Sequence, residues 1–209
     1  MNAPDIKTRP VLDLKLERLT LANTQILGAI ELTLARSETL AIVGPSGVGK
    51  TSLLRIIAGL EDRHVGQCHV QGRVAMVFQE PTLLPWRTVL QNLCITTGIG
   101  SDQTMEMLCD VGLAHRSGDF PGQLSLGQQR RLSLARAFAI KPDLLLMDEP
   151  FVSLDPDLVD EMMTLFADLR AAHGVATILV THVEAEAQRL ADRIVAIGGT
   201  PGRIVDTRS

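Results

Sequence analysis

Leu40-Ala41-Ile42-Val43-Gly44-Pro45-Ser46-Gly47-Val48-Gly49-Lys50-Thr51-Ser52-Leu53-Leu54 is the stretch that decides how this chain folds. It opens on a short apolar run closed by glycine, the pattern of a strand buried on both faces. It ends in an apolar face at helical spacing, Leu53, Leu54, Ile57 and Leu60, which predicts a helix over residues 50–60 with Gly59 near its end. Between the two lies G-x-x-x-x-G-K-[ST]. Glycines let the backbone curl until its N–H groups face one concavity, and the following helix adds the positive end of its dipole. Gly44, Pro45, Ser46, Gly47, Val48, Gly49, Lys50, Thr51 and Ser52 therefore form a candidate phosphate cradle. In it Lys50 reaches the outer phosphates and the Thr51 hydroxyl is a ligand for Mg2+. A chain of this length shows the pattern by chance about 1% of the time, and the flanking strand and helix lower that further.

Outward from this stretch, residues 11–19 and 30–35 alternate apolar and polar side chains, as half-buried strands do. Residues 73–78, 144–147, 175–181 and 193–197 read as further strands. Residues 128–140 and 183–191 read as helices. Another follows Asp155-Pro156, an N-cap with proline at the first helical position, and buries Leu158, Met162, Leu165 and Leu169. The region 88–122 is helical in pattern but loose. From residue 40 onward strands alternate with helices, which predicts an α/β fold with a mainly parallel sheet, an antiparallel element near the N-terminus and an inserted helical subdomain over about residues 80–140.

Composition excludes several classes. The 209 residues are 45% hydrophobic, enough for a real core in one domain. A net charge of -4 argues against a dedicated nucleic-acid binder. Cys68, Cys94 and Cys109 are odd in number with no C-x-x-C spacing, which suits reduced thiols rather than a disulfide framework or a zinc site. Residues 1–9 hold no apolar segment of a signal peptide, and no run reaches the ~18 apolar residues of a membrane span.

Residues 144–147 run into Asp148-Glu149, placing two carboxylates at the C-terminal edge of a strand, where open parallel sheets bind ligands. Adjacent residues on a strand face opposite ways, so one carboxylate can serve a metal while the other serves water. Asp148 is the Mg2+ candidate and Glu149 the general base. Alone, such a pair is more often a solvated strand end; the phosphate cradle about a hundred residues earlier favours the functional reading.

The remaining motifs carry a resemblance. Leu124-Ser125-Leu126-Gly127-Gln128-Gln129, continued by Arg130-Arg131-Leu132-Ser133-Leu134-Ala135-Arg136-Ala137, resembles the LSGGQ signature of ABC transporter ATP-binding subunits. Val77-Phe78-Gln79-Glu80 resembles their Q-loop, Ser153-Leu154-Asp155 their D-loop and Thr181-His182 their switch histidine. The five motifs, the phosphate loop included, stand in the family's order over nearly the whole chain, residues 1–209. The resemblance implies a P-loop ATPase using ATP and Mg2+. Glu149, His182, Gln79 and Lys50 would be catalytic, and Thr51, Gln79 and Asp148 would hold the metal. Ser125, Gly127 and Gln128 would bind the nucleotide of an opposed subunit, in a head-to-tail homodimer. It also implies permease subunits and a solute-binding protein as partners, no nucleic acid, and a peripheral place on the cytoplasmic face of the bacterial inner membrane. Each residue also has a plain reading: His182 a strand-end histidine, Gln79 a solvated loop residue, Ser125 a helix cap.

Residues 81–89, Pro-Thr-Leu-Leu-Pro-Trp-Arg-Thr-Val, are similar to the "LLPW" segment of importers of the nitrate, sulfonate and taurine group, as are Leu190-Ala191-Asp192-Arg193-Ile194-Val195 and Thr200-Pro201-Gly202-Arg203-Ile204. Trp86 falls where such subunits meet a permease; its plain reading is a partly buried residue closing the helical subdomain. Three departures stand out. Leu126 replaces the first signature glycine, adding bulk and giving up glycine's backbone freedom. All six aromatic residues follow the phosphate loop, so Leu19, Leu21 or the stem of Arg18 is left to cover the adenine. The interval from Lys50 to Gln79 is short for the family and predicts a trimmed β-subdomain, and the chain leaves no room for a C-terminal regulatory domain. The main reading is thus the ATPase of a solute importer; the alternatives are a low-turnover regulatory subunit and an export or lipid system. ATPases with a long coiled coil between their halves are excluded by the short interval from Thr51 to Asp148.

Overall fold

The computed structural model describes residues 9–208; all but the last residue of the segment read above as lacking a signal peptide (1–9) lies outside them. Two sheets share the chain. The first is antiparallel and four-stranded. Its long strand β1 (Leu12–Leu21) pairs with β2 (Thr24–Leu27), β3 (Ile30–Leu34) and β5 (His64–Val70). The second has six strands in the order β10-β9-β4-β8-β7-β6. In it β4 (Thr39–Val43), β6 (Val74–Val77), β7 (Leu144–Asp148), β8 (Ala176–Thr181) and β9 (Arg193–Gly198) run parallel, and β10 (Arg203–Arg208) is an antiparallel edge.

The parallel strands are apolar throughout because both faces are covered. On β7, Leu144 and Leu146 pack into the core shared with the antiparallel sheet and helix α1 (Lys50–Ile57). Leu145 and Met147, one residue out of phase, face the opposite core. That core holds Phe138 of α4 (Leu126–Ala139) and Phe166 of α5 (Pro156–His173), whose rings lie 6.5 Å apart. Helices α2 (Val89–Thr97) and α3 (Ser101–Asp110) lie with α4 in the stretch of chain that connects β6 to β7, in the region expected to be a helical insertion. Helix α6 (Glu184–Leu190) covers the small face of Ala41 and Val43 through Ala187.

Several local expectations change. The first helix stops at Ile57, and Gly59 (φ 69°) takes the left-handed turn beyond it. Helix α4 starts at Leu126 rather than residue 128, because Ser125 and Gln128 form a reciprocal capping box there. The short interval after Lys50 holds the seven-residue strand β5, which is the fourth strand of the antiparallel sheet. That strand escapes the sequence pattern because HVGQCHV shows no sustained alternation of apolar and polar residues, and none of its side chains is fully buried. Among the described residues, no helix is long and apolar enough to cross a membrane.

Candidate functional site

Four parallel strands end on the same edge, and each delivers one of the motifs. The phosphate loop follows β4, Gln79 follows β6, Asp148 closes β7 with Glu149 after it, and His182 follows β8. This is the carboxyl edge of the sheet, where α/β proteins place ligands.

Lys50 is only 4% exposed; its ammonium donates to the carbonyls of Gly44 (2.8 Å) and Pro45 (3.1 Å) and stands 3.8 Å from Glu149 Oε1. The next residue makes the neighbouring pair: the Thr51 hydroxyl donates to Asp148 Oδ1 at 3.1 Å. Each of the two carboxylates is thus matched to one side chain at the start of α1. Gly47 and Gly49 hold φ of 80° and 108°, the left-handed values that curl the loop. A Cβ on Gly49 would meet Leu27 Cδ2 at 2.6 Å, and one on Gly202 would meet the Val48 carbonyl at 2.3 Å. The loop is therefore packed from behind by β2 and by the turn before β10.

Asp148 is 6% exposed, so a solvated strand end does not describe it. Burial pushes its carboxyl above the ordinary carboxylate range, and the Glu149 charge adds to that; the Thr51 hydroxyl, Arg55 and Lys50 pull the other way. A buried anion beside a hydroxyl is a site a hard cation would relieve. The Thr51 hydroxyl and the Asp148 carboxylate are two oxygen donors side by side, a set of the size Mg2+ takes from protein before phosphate and water complete its shell.

The divergence of Asp148 and Glu149 does not come from strand alternation. The strand ends at Asp148, and Glu149 adopts φ 46°, a left-handed conformation costly for a residue with a side chain. Its N–H is tied to the Val180 carbonyl at 2.9 Å. This strained backbone turns the carboxylate toward Lys50 on one side and His182 on the other, where Nδ1 lies 3.3 Å from Oε2. A largely apolar cavity of about 410 Å³ opens beside the pair.

Gln79 is exposed in the bend after β6, and among the described residues no hydrogen bond joins it to Thr51 or Asp148. Its segment is instead clamped to α4. Arg130 donates to the Phe78 carbonyl (3.4 Å), Ser133 to Pro81 (2.8 Å) and Arg136 to Thr82 (2.8 Å). Arg130 also reaches the Val152 carbonyl (3.3 Å), three residues past Glu149. Its Nε has no partner although the side chain is 4% exposed, and burial holds the guanidinium below its ordinary value.

At the signature, the Ser125 hydroxyl accepts from Gln128 N–H (3.2 Å) and Gln128 Oε1 accepts from Ser125 N–H (3.0 Å), so Ser125 does cap α4. Gly127 packs closely on α5: a Cβ there would lie 2.6 Å from Leu158 Cδ2, so the leucine side chain would have to shift. Leu126 sits at the first helical position without positive φ, so glycine's freedom is not needed there; it projects 40% exposed.

On the nucleobase side, Leu19 is fully buried and cannot cover a ring, which leaves Leu21 and Arg18. A cavity of about 340 Å³ adjoins the loop between Gln25, Ile26, Val48 and Thr200. Trp86 is 67% exposed and closes nothing. The segment carrying it is held by Asn92, a residue the sequence reading passed over. Its buried amide accepts from Leu84 N–H (2.8 Å) and donates to the carbonyls of Leu84, Arg87 and Thr88. Glu186 was also passed over: a carboxylate 7% exposed that accepts from the Thr181 hydroxyl.

Comparison with known proteins agrees with this geometry. The family described as ABC transporter matches residues 27–152. An aliphatic sulfonates import ATP-binding protein of Granulibacter bethesdensis is 42% identical over 204 residues, spanning 96% of this chain and 84% of that protein. One from Burkholderia cenocepacia is 40% identical over 208 residues, 94% of this chain and 77% of that protein. Among solved structures, a dimeric ATP-binding cassette in a post-hydrolysis state with ADP and Pi superposes with a TM-score of 0.83 at 26% identity, covering 95% of this chain and 98% of that one.

Proposed function

The chain belongs to the ABC transporter family, and from that premise we propose that it is the ATP-hydrolysing subunit that energises solute import through a membrane permease. The observation that carries the proposal is the convergence of the phosphate loop, Asp148, Glu149 and His182 on one edge of one parallel sheet.

In this reading residues 44–52 wrap the phosphates, with Lys50 exchanging its carbonyl partners for phosphate oxygens. Thr51 and Asp148 would hold Mg2+, with Gln79 as a further ligand; the ion would supply charge neutralisation to the phosphates. Glu149 accepts the proton of the attacking water, and His182, at hydrogen-bond distance from Glu149, contacts the terminal phosphate. A second copy of the chain, docked head to tail, supplies Ser125, Gly127 and Gln128 at the open side of the site. The dimeric solved neighbour with ADP and Pi supports that arrangement. The exposed Trp86 faces the permease, which sets the protein peripherally at the cytoplasmic face of the membrane. The relatives' names make an aliphatic sulfonate, delivered by a solute-binding protein, the proposed cargo.

Glu149→Gln tests the chemistry. The variant is expected to keep ATP affinity and lose hydrolysis by about 10²-fold or more, the scale of general-base catalysis. Turnover equal to the wild type in a phosphate-release assay would remove Glu149 from the role of base. The low-turnover alternative, suggested by Leu126, predicts instead that the wild type itself hydrolyses no faster than this variant.

A further inference from the structure

Helix α6 begins two residues after His182, and its third residue, Glu186, points inward. A carboxylate left 7% exposed demands compensation, because burying a charge without a partner is costly. No arginine or lysine pairs with it among the described residues. The neighbouring arginines are engaged elsewhere, Arg189 with Asp160 of α5 and Arg208 of β10 with Glu184. The partner is instead the hydroxyl of Thr181, itself 2% exposed. That hydroxyl donates to Glu186 Oε2 and accepts the N–H of Val183 at 3.0 Å. The chain of bonds from Glu186 to Thr181 to Val183 therefore spans the single residue between them, His182.

We propose that Glu186 is a positioning residue for hydrolysis: through the Thr181 hydroxyl it fixes the turn at residues 181–183 and so holds the His182 ring against the Glu149 carboxylate. His182 needs such a device. Its side chain is 45% exposed, and among the described residues Glu149 Oε2, at 3.3 Å, is the one polar atom paired with it. A threonine hydroxyl alone can rotate between acceptors; a buried carboxylate accepts only, which leaves the hydroxyl one orientation and its lone pair aimed at Val183 N–H. The proposal rests on the reading of Glu149 and His182 as the hydrolytic pair.

The test compares Glu186→Ala, Glu186→Gln and Thr181→Val in the full chain by two measurements. One is MgATP hydrolysis; the other is the NMR signal of the His182 ring, assigned by its loss in His182→Asn and recorded without nucleotide. Glu186→Ala and Thr181→Val are expected to lower kcat roughly ten-fold, as a sub-ångström shift should when 1 Å costs about 10²-fold, with KM for ATP within about two-fold. Both should move or broaden the His182 signal. Glu186→Gln keeps an acceptor oxygen and is expected to restore both readouts. The proposal is overturned if Glu186→Ala leaves rate and ring signal unchanged, or if Glu186→Gln is as impaired as Glu186→Ala. It is equally overturned if the rate falls while the His182 signal stays put, since Glu186 would then act on something other than the ring. If the wild type shows no hydrolysis, the ATPase reading fails, and the ring signal still decides whether Glu186 and Thr181 set His182.

Discussion

Gly202→Ala would press on the phosphate loop from a residue more than 150 positions away in sequence, and the structure fixes the size of the insult. The added Cβ would stand 2.3 Å from the Val48 carbonyl oxygen, with Leu27 Cδ2 at 3.2 Å and Ile197 Cγ2 at 3.3 Å closing the remaining directions. Gly202 has no positive φ, so the problem is space alone. Its turn cannot simply withdraw. The Gly202 N–H donates to the Ile26 carbonyl at 2.9 Å and its own carbonyl accepts from Gly28 at 2.8 Å, and each bond lost costs about 1 kcal/mol. Relief to an ordinary contact needs about 1 Å of movement, shared between this turn and the loop, and overpacking of that kind costs about 1–3 kcal/mol. For a chain of this size each kcal/mol lowers Tm by about 2–4 °C, so a drop near 5 °C is expected. Displacing Val48 also misplaces the loop N–H groups, and about 1 Å of misplacement is worth on the order of 10²-fold in kcat/KM. Thermal unfolding by circular dichroism and the kinetics of MgATP hydrolysis measure the two effects. A variant with wild-type Tm and wild-type kcat/KM would refute the claim that this turn braces the loop. Gly47→Ala is the contrasting case. Nothing lies within 4 Å of its Cβ, so only the backbone penalty at φ 80° remains, about 1–2 kcal/mol.

Arg130→Met removes a buried cation that has an orphaned Nε and only long bonds to Phe78 and Val152. Calorimetry should show stability at or above the wild type while ATPase activity falls as the two loops loosen, and a clear loss of Tm would contradict this. Burial raises the Glu186 carboxyl above its ordinary 4.5, outweighing the Thr181 hydrogen bond and His182, with Glu149 adding to the rise. The folded chain therefore holds that proton more readily than the unfolded one. The wild type's stability relative to Glu186→Gln is fully present below the unfolded value and is lost as pH rises through the folded one. Paired melting curves from about pH 4 to 8 should show the Gln variant gaining with pH, and a pH-independent difference would defeat the assignment. Burial also raises the Cys68 thiol, whereas Cys109 is exposed, so iodoacetamide followed by mass spectrometry should mark Cys109 first. Equal labelling rates would show that β5 opens readily.

Much of the fold is legible because its signals are local. The run from Leu40 to Val43, the glycines after it and the helix face of Leu53, Leu54 and Ile57 are contiguous, and alternation of strand and helix does the rest. What the residues do not announce is whatever depends on a neighbour distant in sequence. Strands β5 and β10 are held by pairing with β1 and β9, and their mostly exposed side chains carry no periodic signal. Leu19 reads as a candidate for the adenine until the antiparallel sheet closes over it. The candidate site residues were named from motifs, and the structure brings Lys50, Thr51, Asp148, Glu149 and His182 together while leaving Gln79 apart. Glu186 lay outside any motif weighed. A lone glutamate at the start of a short helix looks like a solvated residue until its burial and its threonine partner are seen. Glu149's left-handed backbone is likewise invisible in a sequence that offers no glycine there.

The order of strands in the parallel sheet has a consequence for how the protein is made. Strand β4, which launches the phosphate loop, lies between β8 and β9, and both belong to the last fifth of the chain. As the chain leaves the ribosome, the nucleotide cradle thus emerges well before the two strands that flank it. Until residue 198 is out, β4 has no partner on one side, and its apolar face must wait or be shielded. ATP meets a competent loop only after β8 and β9 have emerged and closed on β4.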